Sequence, residues 1–268
     1  MQGSDVVTHD EASEFKIMVA CECYSDQGHV RDALAQLPDL NGKLIWGNPR
    51  VPDPLKLIDA DMVLIVSDRP NLLTAIGQSV IYKNLGLAHL LVYVQGDTDL
   101  PAEAIPGLIL ARSQLADGLL NLTQILLEST LTQGLVGVDW ADTCNLLAMG
   151  GQAVMERASS TRQPEEAIKR AVSQLQARTT GRAIHGLQAA ILSNGSKMPT
   201  KSISDLSWAC KDILPLPDKD SDGYDTHFIV AAPLLDWLDD NYYEVRLFAR
   251  VECSGARWPS DLLLNFSD

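Results

Sequence analysis

The sequence predicts a mixed architecture: an α/β half built on a parallel sheet, then a smaller α+β half, with a long helix between them. Three stretches carry that prediction. Asp61-Met-Val-Leu-Ile-Val-Ser67 is almost continuously apolar, as a strand covered on both faces of a parallel sheet must be. Over Ser113–Leu127, the residues Leu115, Leu119, Leu122, Ile125 and Leu126 recur at helical spacing. Tyr242–Cys253 alternates as in an antiparallel sheet, where one face packs and the other is wet.

In chain order, Phe15–Cys21 reads as a buried first strand and Glu22–Gly28 as a polar turn. A short helix is expected over Gly28–Leu37, with Val30, Ala33, Leu34 and Leu37 on one face. Leu44-Ile-Trp46 is a short strand. Pro49, Pro52 and Pro54 then interrupt the chain, and Pro54 can open a short helix to Ile58. After the apolar strand, Asn71 caps a helix that Gly86 ends, and Ala88–Val94 is the next strand. Strand, helix and strand make a βαβ unit. A loop with Pro101 and Pro106 leads to a strand at Gly107–Ala111.

The helix over Ser113–Leu127 runs into a loop that closes onto another helix, Trp140–Met149. Beyond Gly150-Gly151 the texture changes. Strands are expected at Val154–Ala158, Ile184–Leu192, Thr226–Pro233 and Tyr242–Cys253. One helix starts at Pro164-Glu-Glu, acids in its first turn, and another spans Thr200–Leu214. The expected division is a flexible start at 1–14, an α/β domain at 15–112, the central helix and loop at 113–150, an α+β domain at 151–253 and a tail at 254–268.

Composition sets limits on partners. The 268 residues suit one large domain or two moderate ones, and 46% hydrophobic residues suffice for sizeable cores. Lys and Arg number 21 against 35 Asp and Glu, a net charge of −14. That disfavours unassisted binding to nucleic acid or to an anionic membrane, since both are negative. No apolar run approaches the roughly 18 residues of a membrane span. The polar, acidic opening lacks a secretory pattern, so a cytoplasmic location is expected. Five cysteines without paired CxxC motifs fit reduced thiols.

The most informative stretch is Leu131–Gly151, which carries Asp139 and Asp142. Residues three apart share a helix face, and the start of a helix favours anions. Asp139 can therefore cap the helix that follows, with Asp142 in its first turn. Alternatively, the pair projects toward something outside the chain.

Gly134-Leu-Val-Gly-Val-Asp-Trp-Ala-Asp142 resembles the catalytic loop of FtsZ, the bacterial tubulin homologue. In that family the loop reads close to G-L-I-N-V-D-F-A-D and leads into a helix ending M-G, as Ala148-Met-Gly150 does here. Pro164-Glu-Glu-Ala-Ile-Lys-Arg-Ala171 and Gly186-Leu-Gln-Ala-Ala-Ile-Leu-Ser-Asn-Gly195 continue the similarity. Upstream, Asp59–Val66 resembles the strand before the family's glycine-rich phosphate loop. The resemblance spans roughly residues 15–253. It implies a reduced tubulin/FtsZ-like fold: a Rossmann-like N-terminal domain, a central helix and a C-terminal α+β domain. It also implies that the loop of one subunit meets the nucleotide site of the next, with Asp139 and Asp142 as the catalytic-type carboxylates that position water. Gly137 stands where the family has Asn.

Three departures from the family pattern point away from GTP. Where a G-G-G-T-G-T-G loop would cradle phosphates with backbone N–H groups, this chain reads Ser67-Asp-Arg-Pro-Asn71. Pro70 removes a donor, Asp68 brings a negative charge, and Arg69 is the lone cation. After the first strand, Cys21-Glu22-Cys-Tyr-Ser-Asp26 replaces another glycine run, and Glu22 and Asp26 again oppose an anion. The segment 101–131 is also short for the family. The expectation is a pseudo-GTPase with no cofactor. It would work by contact with itself or with an FtsZ filament through Gly134, Leu135, Val138, Asp139, Trp140 and Asp142. An enzyme with a rebuilt pocket is the remaining alternative.

Other candidates are weaker. Asp218, Asp220 and Asp222 before Gly223 match half a calcium loop, but the twelfth position is Ile229. Cys21, Cys23 and His29 fit no usual zinc spacing. His89, His185 and His227 are scattered among strands. Leu262, Leu263, Leu264 and Phe266 are expected to dock on the body, or to act as a partner-binding tail.

Overall fold

A computed structural model describes residues 16–21, 43–47, 60–68, 88–95, 107–194, 198, 200–214 and 227–253. The helices expected over 28–37, 54–58 and 71–85, the half calcium loop at Asp218, Asp220 and Asp222, and the tail beyond 253 lie outside these residues.

The described strands form one ten-stranded sheet in the order β2-β1-β3-β4-β5-β7-β10-β8-β9-β6. The first five are β1 (Lys16–Cys21), β2 (Lys43–Gly47), β3 (Met62–Ser67), β4 (Ala88–Gln95) and β5 (Gly107–Ala111). All five run parallel. β3 lies between β1 and β4 and is buried at every position, as its unbroken apolar run requires.

The second set is β6 (Gly134–Val136), β7 (Gln152–Ser160), β8 (Ile184–Ser193), β9 (His227–Pro233) and β10 (Tyr243–Val251). β10 pairs antiparallel with both β7 and β8, whereas β8 and β9 run parallel. The two sets meet where β5 pairs with β7 through Gly107–Gln152 and Leu108–Ala153. Two glycines make that junction possible. Gly107 and Gly151 both have φ of +93°, and a Cβ would lie 2.2 Å from the Leu91 carbonyl oxygen at one and 2.3 Å from that of Val251 at the other. The Gly107 N–H donates to the Gly151 carbonyl at 3.0 Å.

The central helix runs as α1 (Leu115–Thr123), a π-helical turn (Gln124–Glu128) and a last turn (Ser129–Leu131). Its Leu115, Leu119, Leu122, Ile125 and Leu126 enter one core with β1, β3, β4, β5 and α2 (Trp140–Ala148). The helices α3 (Pro164–Arg178) and α4 (Thr200–Lys211) cover the opposite face of the second strand set. Alternate residues divide accordingly: Ala190, Leu192 and Phe248 face the first core, and Ala189, Ile191 and Leu247 the second.

Two expectations are corrected. The stretch expected to be only a loop contains β6, which pairs with β9 at the edge of the sheet. At three residues it is too short for alternation to reveal it. β10 has no wet face: all nine residues are buried, between two strands and beneath helices on both sides. Its polar positions are therefore buried, and Glu244, Arg246 and Arg250 must find partners inside.

Glu244 and Arg246 find them in one network. Arg246, 1% exposed, donates to both Glu244 and Glu128 of the central helix. Glu244 also accepts from Arg157 at 2.6 Å and from the Tyr242 hydroxyl at 2.8 Å. Arg157 in turn donates to Asn121 at 3.0 Å. Burial pushes the Glu128 carboxyl above its ordinary value, and the Arg246 charge offsets this only in part. Burial acts on Glu244 in the same direction, but Arg246, Arg157 and Tyr242 outweigh it and hold that carboxyl low. Nearby, the fully buried Gln188 donates to the Ile125 carbonyl at 3.1 Å, satisfying an acceptor within the π-turn. Arg250, by contrast, is pulled down to about 10 by burial, and only its Nε reaches an acceptor, the Met149 carbonyl.

Candidate functional site

The central loop sits at one end of the second strand set. β6 pairs with the end of β9, and the Leu234 N–H donates to the Gln133 carbonyl at 3.1 Å. These contacts bring the loop beside the turn 234–242. That turn is held by the Leu235 N–H on the Ser193 carbonyl at 3.0 Å and by the Asn194 amide on the Leu238 carbonyl at 2.8 Å.

Asp139 is the N-cap of α2. Its backbone is extended, and its carboxylate accepts from the Ala141 N–H at 3.0 Å. Asp142 lies in the first turn, exposed, where the helix dipole favours a negative charge. The His227 ring nitrogen Nε2 lies 3.0 Å from the Asp142 backbone carbonyl, fixing the start of α2 against β9. No sequence pattern links those two residues, so this contact was not foreseeable from spacing.

Of the six proposed contact residues, Leu135 is 48% exposed, and Asp139 and Asp142 face solvent. Gly134 is half-buried, and a Cβ there would lie 2.4 Å from the Ala232 carbonyl oxygen. Two point inward instead. Val138 belongs to the core, and Trp140 is half-buried against it. An apolar residue flanked by glycine and aspartate gives no cue to that burial. Conversely, Leu131, Val136 and Trp237 were not singled out, yet they are 44%, 36% and 53% exposed at or beside this end.

At the opposite side of the α/β half, Asp68 directly follows β3. Its carboxylate is bonded by Arg112 at 3.1 Å, and both side chains are partly exposed. The charge expected to oppose a phosphate is thus shared with a cation from beyond β5, in a pair worth at most about 1 kcal/mol at that exposure. Cys21 ends β1, whereas Glu22, Arg69 and Pro70 lie outside the described residues. Among the described residues, no three His, Cys, Asp or Glu side chains converge as metal ligands. No described helix is long and apolar enough to cross a membrane.

Solved structures share this architecture. A mutant of FtsZ from M. jannaschii superposes with a TM-score of 0.63 at 13% identity, over 88% of this chain and 91% of that one. FtsZ from the same organism, solved as an empty dimer, gives 0.63 at 12% identity over 94% and 95%. CetZ from Methanosaeta thermophila gives 0.53 at 9% identity over 89% and 86%. The chain matches no family model and no curated protein sequence. The fold is FtsZ/tubulin-like, in reduced form. At these identities the likeness extends to the fold alone.

Proposed function

We propose that this chain is a non-enzymatic FtsZ-like protein that associates with itself without a GTP switch. The observation that carries the reading is the contrast between two ends of one fold. The loop end is built and exposed, with Leu131, Leu135, Val136 and Trp237 open to solvent. The sequence that should cradle phosphates has lost its glycines, and its Asp68 is engaged by Arg112. Exposed aromatic and aliphatic side chains are what a protein contact uses. That a similar FtsZ was solved as an empty dimer supports self-association as the kind of contact.

One observation favours a second reading. Asp142 is exposed on a loop whose sequence follows the family, so the loop could be offered to the nucleotide site of a true FtsZ and cap its filament. Pelleting and electron microscopy of the purified chain, with and without GTP and magnesium, separate the readings. Equal assembly in both conditions is expected. Assembly only with GTP would overturn the proposal. No assembly would transfer support to capping, tested by adding the chain to an FtsZ assembly reaction.

A further inference from the structure

The charge on this chain is segregated. On and around α3 lie five cations, Arg162, Lys169, Arg170, Arg178 and Arg182, against three acids, Glu156, Glu165 and Glu166. That group is net +2 in a chain that is −14 overall. Most of it is the exposed side of α3, which covers the face of the sheet opposite the central helix. Arg170 donates to the Ser159 carbonyl at 3.2 Å, and Arg182 to the Gln152 amide oxygen and the Arg178 carbonyl. These acceptors are neutral, so they orient the guanidinium groups without cancelling their charge. Arg178 alone of the three also meets a carboxylate, Glu156 at 2.7 Å.

The loop end has the opposite character. Residues 131–142 and 234–242 contain Asp139, Asp142, Asp236, Asp239 and Asp240 and no cation. All five are exposed, as are Leu131, Leu135, Val136 and Trp237 in the same two segments. Exposed apolar side chains in strongly acidic segments suit a docking surface with a charged partner. The charge calls for a cationic partner.

We propose that the occupant is a second copy of this chain, whose α3 flank receives the acidic loop end. This rests on the self-association proposed above and names the surface that receives the loop. The alternative receiver within a second copy is the end bearing Asp68. There Arg112 is already paired with Asp68, whereas the flank carries an excess of cations. The two surfaces differ, so the contact is heterologous: each copy uses its end on one neighbour and its flank on the other. Such a contact propagates into an open chain or closes into a ring.

Sedimentation velocity of the full-length chain, without nucleotide, tests this. Four proteins are compared: wild type, Lys169→Glu with Arg170→Glu, Asp236→Lys with Asp239→Lys, and the chain carrying all four changes. Each pair alone is expected to weaken assembly about tenfold or more, and the four together to restore it. Raising NaCl from about 50 to about 500 mM is expected to weaken wild-type assembly by a similar factor. This salt series decides the matter even if a reversed chain fails to fold. Assembly that ignores both salt and flank reversal overturns the flank as receiver. If Trp237→Ala still dissociates that assembly, self-association through the loop end stands while the flank assignment falls. A wild-type chain that stays monomeric at all concentrations overturns both.

Discussion

Glu128 and Asp142 lie on either side of the same loop, and the fold treats their charges in opposite ways. Glu128 is 4% exposed and bonded to a buried arginine that it shares with Glu244. Asp142 faces water at the start of a helix. A buried charge must be met within the chain, so Glu128, Arg246 and Glu244 fix the central helix against β10. An exposed carboxylate costs little to leave where it is, so it remains open to a second molecule. The first region is architecture and the second is surface, although both are read from the same letters.

The largest effect should come from breaking the buried side. Arg246→Met removes the cation between two buried carboxylates and is expected to destabilise the fold by about 3–5 kcal/mol. Urea denaturation monitored by circular dichroism reads the loss. Adding Glu128→Leu should recover part of it, because Glu244 keeps Arg157 and Tyr242. If the double variant is as unstable as the single one, Glu128 and Arg246 do not act as a pair.

The two buried carboxylates should oppose each other as pH changes. The folded state raises Glu128 above its ordinary 4.5, so protonation favours folding, and stability is lost as pH climbs from there toward the raised value. Glu244 is held below 4.5, so its contribution is present above that pH and is lost as pH falls through the lowered value. Glu128→Gln should therefore gain stability relative to wild type as pH is raised from about 4.5 to about 7.5. Denaturation midpoints at the two pH values check this. A variant that instead loses ground at the higher pH would show that the ionised Glu128 stabilises the fold.

Much of the frame was legible before any coordinates. The run at Met62–Ser67, the helical spacing of Leu115, Leu119 and Leu122, and the family-like loop each report a local pattern that packing then obeys. β10 was legible as an antiparallel strand but not as a buried one. Its alternation comes from Glu244 and Arg246, and only the distant Glu128 and Arg157 make those positions tolerable inside. The π-turn was invisible for a similar reason, since its bonding partner Gln188 arrives from another strand. At the candidate site, Asp139 as a cap follows from its position. The inward turn of Val138 and the contribution of Trp237 depend on β6 meeting β9, which three residues of sequence do not announce.

On the exposed side the effects on folding should be smaller. Asp139→Ala removes the acceptor for the Ala141 N–H and is expected to cost about 1 kcal/mol of stability. Asp139→Ser should keep most of it, since serine caps nearly as well. Differential thermal melts of the three proteins measure the order. Equal melting of all three would mean that the bond at the start of α2 contributes nothing.

Asp142 gives the smallest effect on stability and the sharpest test of the contrast. Its side chain is exposed, and its backbone carbonyl rather than its carboxylate meets His227. Asp142→Ala is therefore expected to change stability by no more than about 0.5 kcal/mol, part of it the lost favourable position near the helix start. Assembly should respond more strongly than folding, because the carboxylate is one of the exposed acids of the loop end. Asp142→Lys should weaken assembly further and reduce its salt dependence, since one attractive charge becomes repulsive. The same two variants in sedimentation and in urea denaturation place the effect. A loss of stability matching the loss of assembly would make Asp142 part of the architecture, like Glu128. A loss of assembly alone would keep it on the surface meant for another molecule.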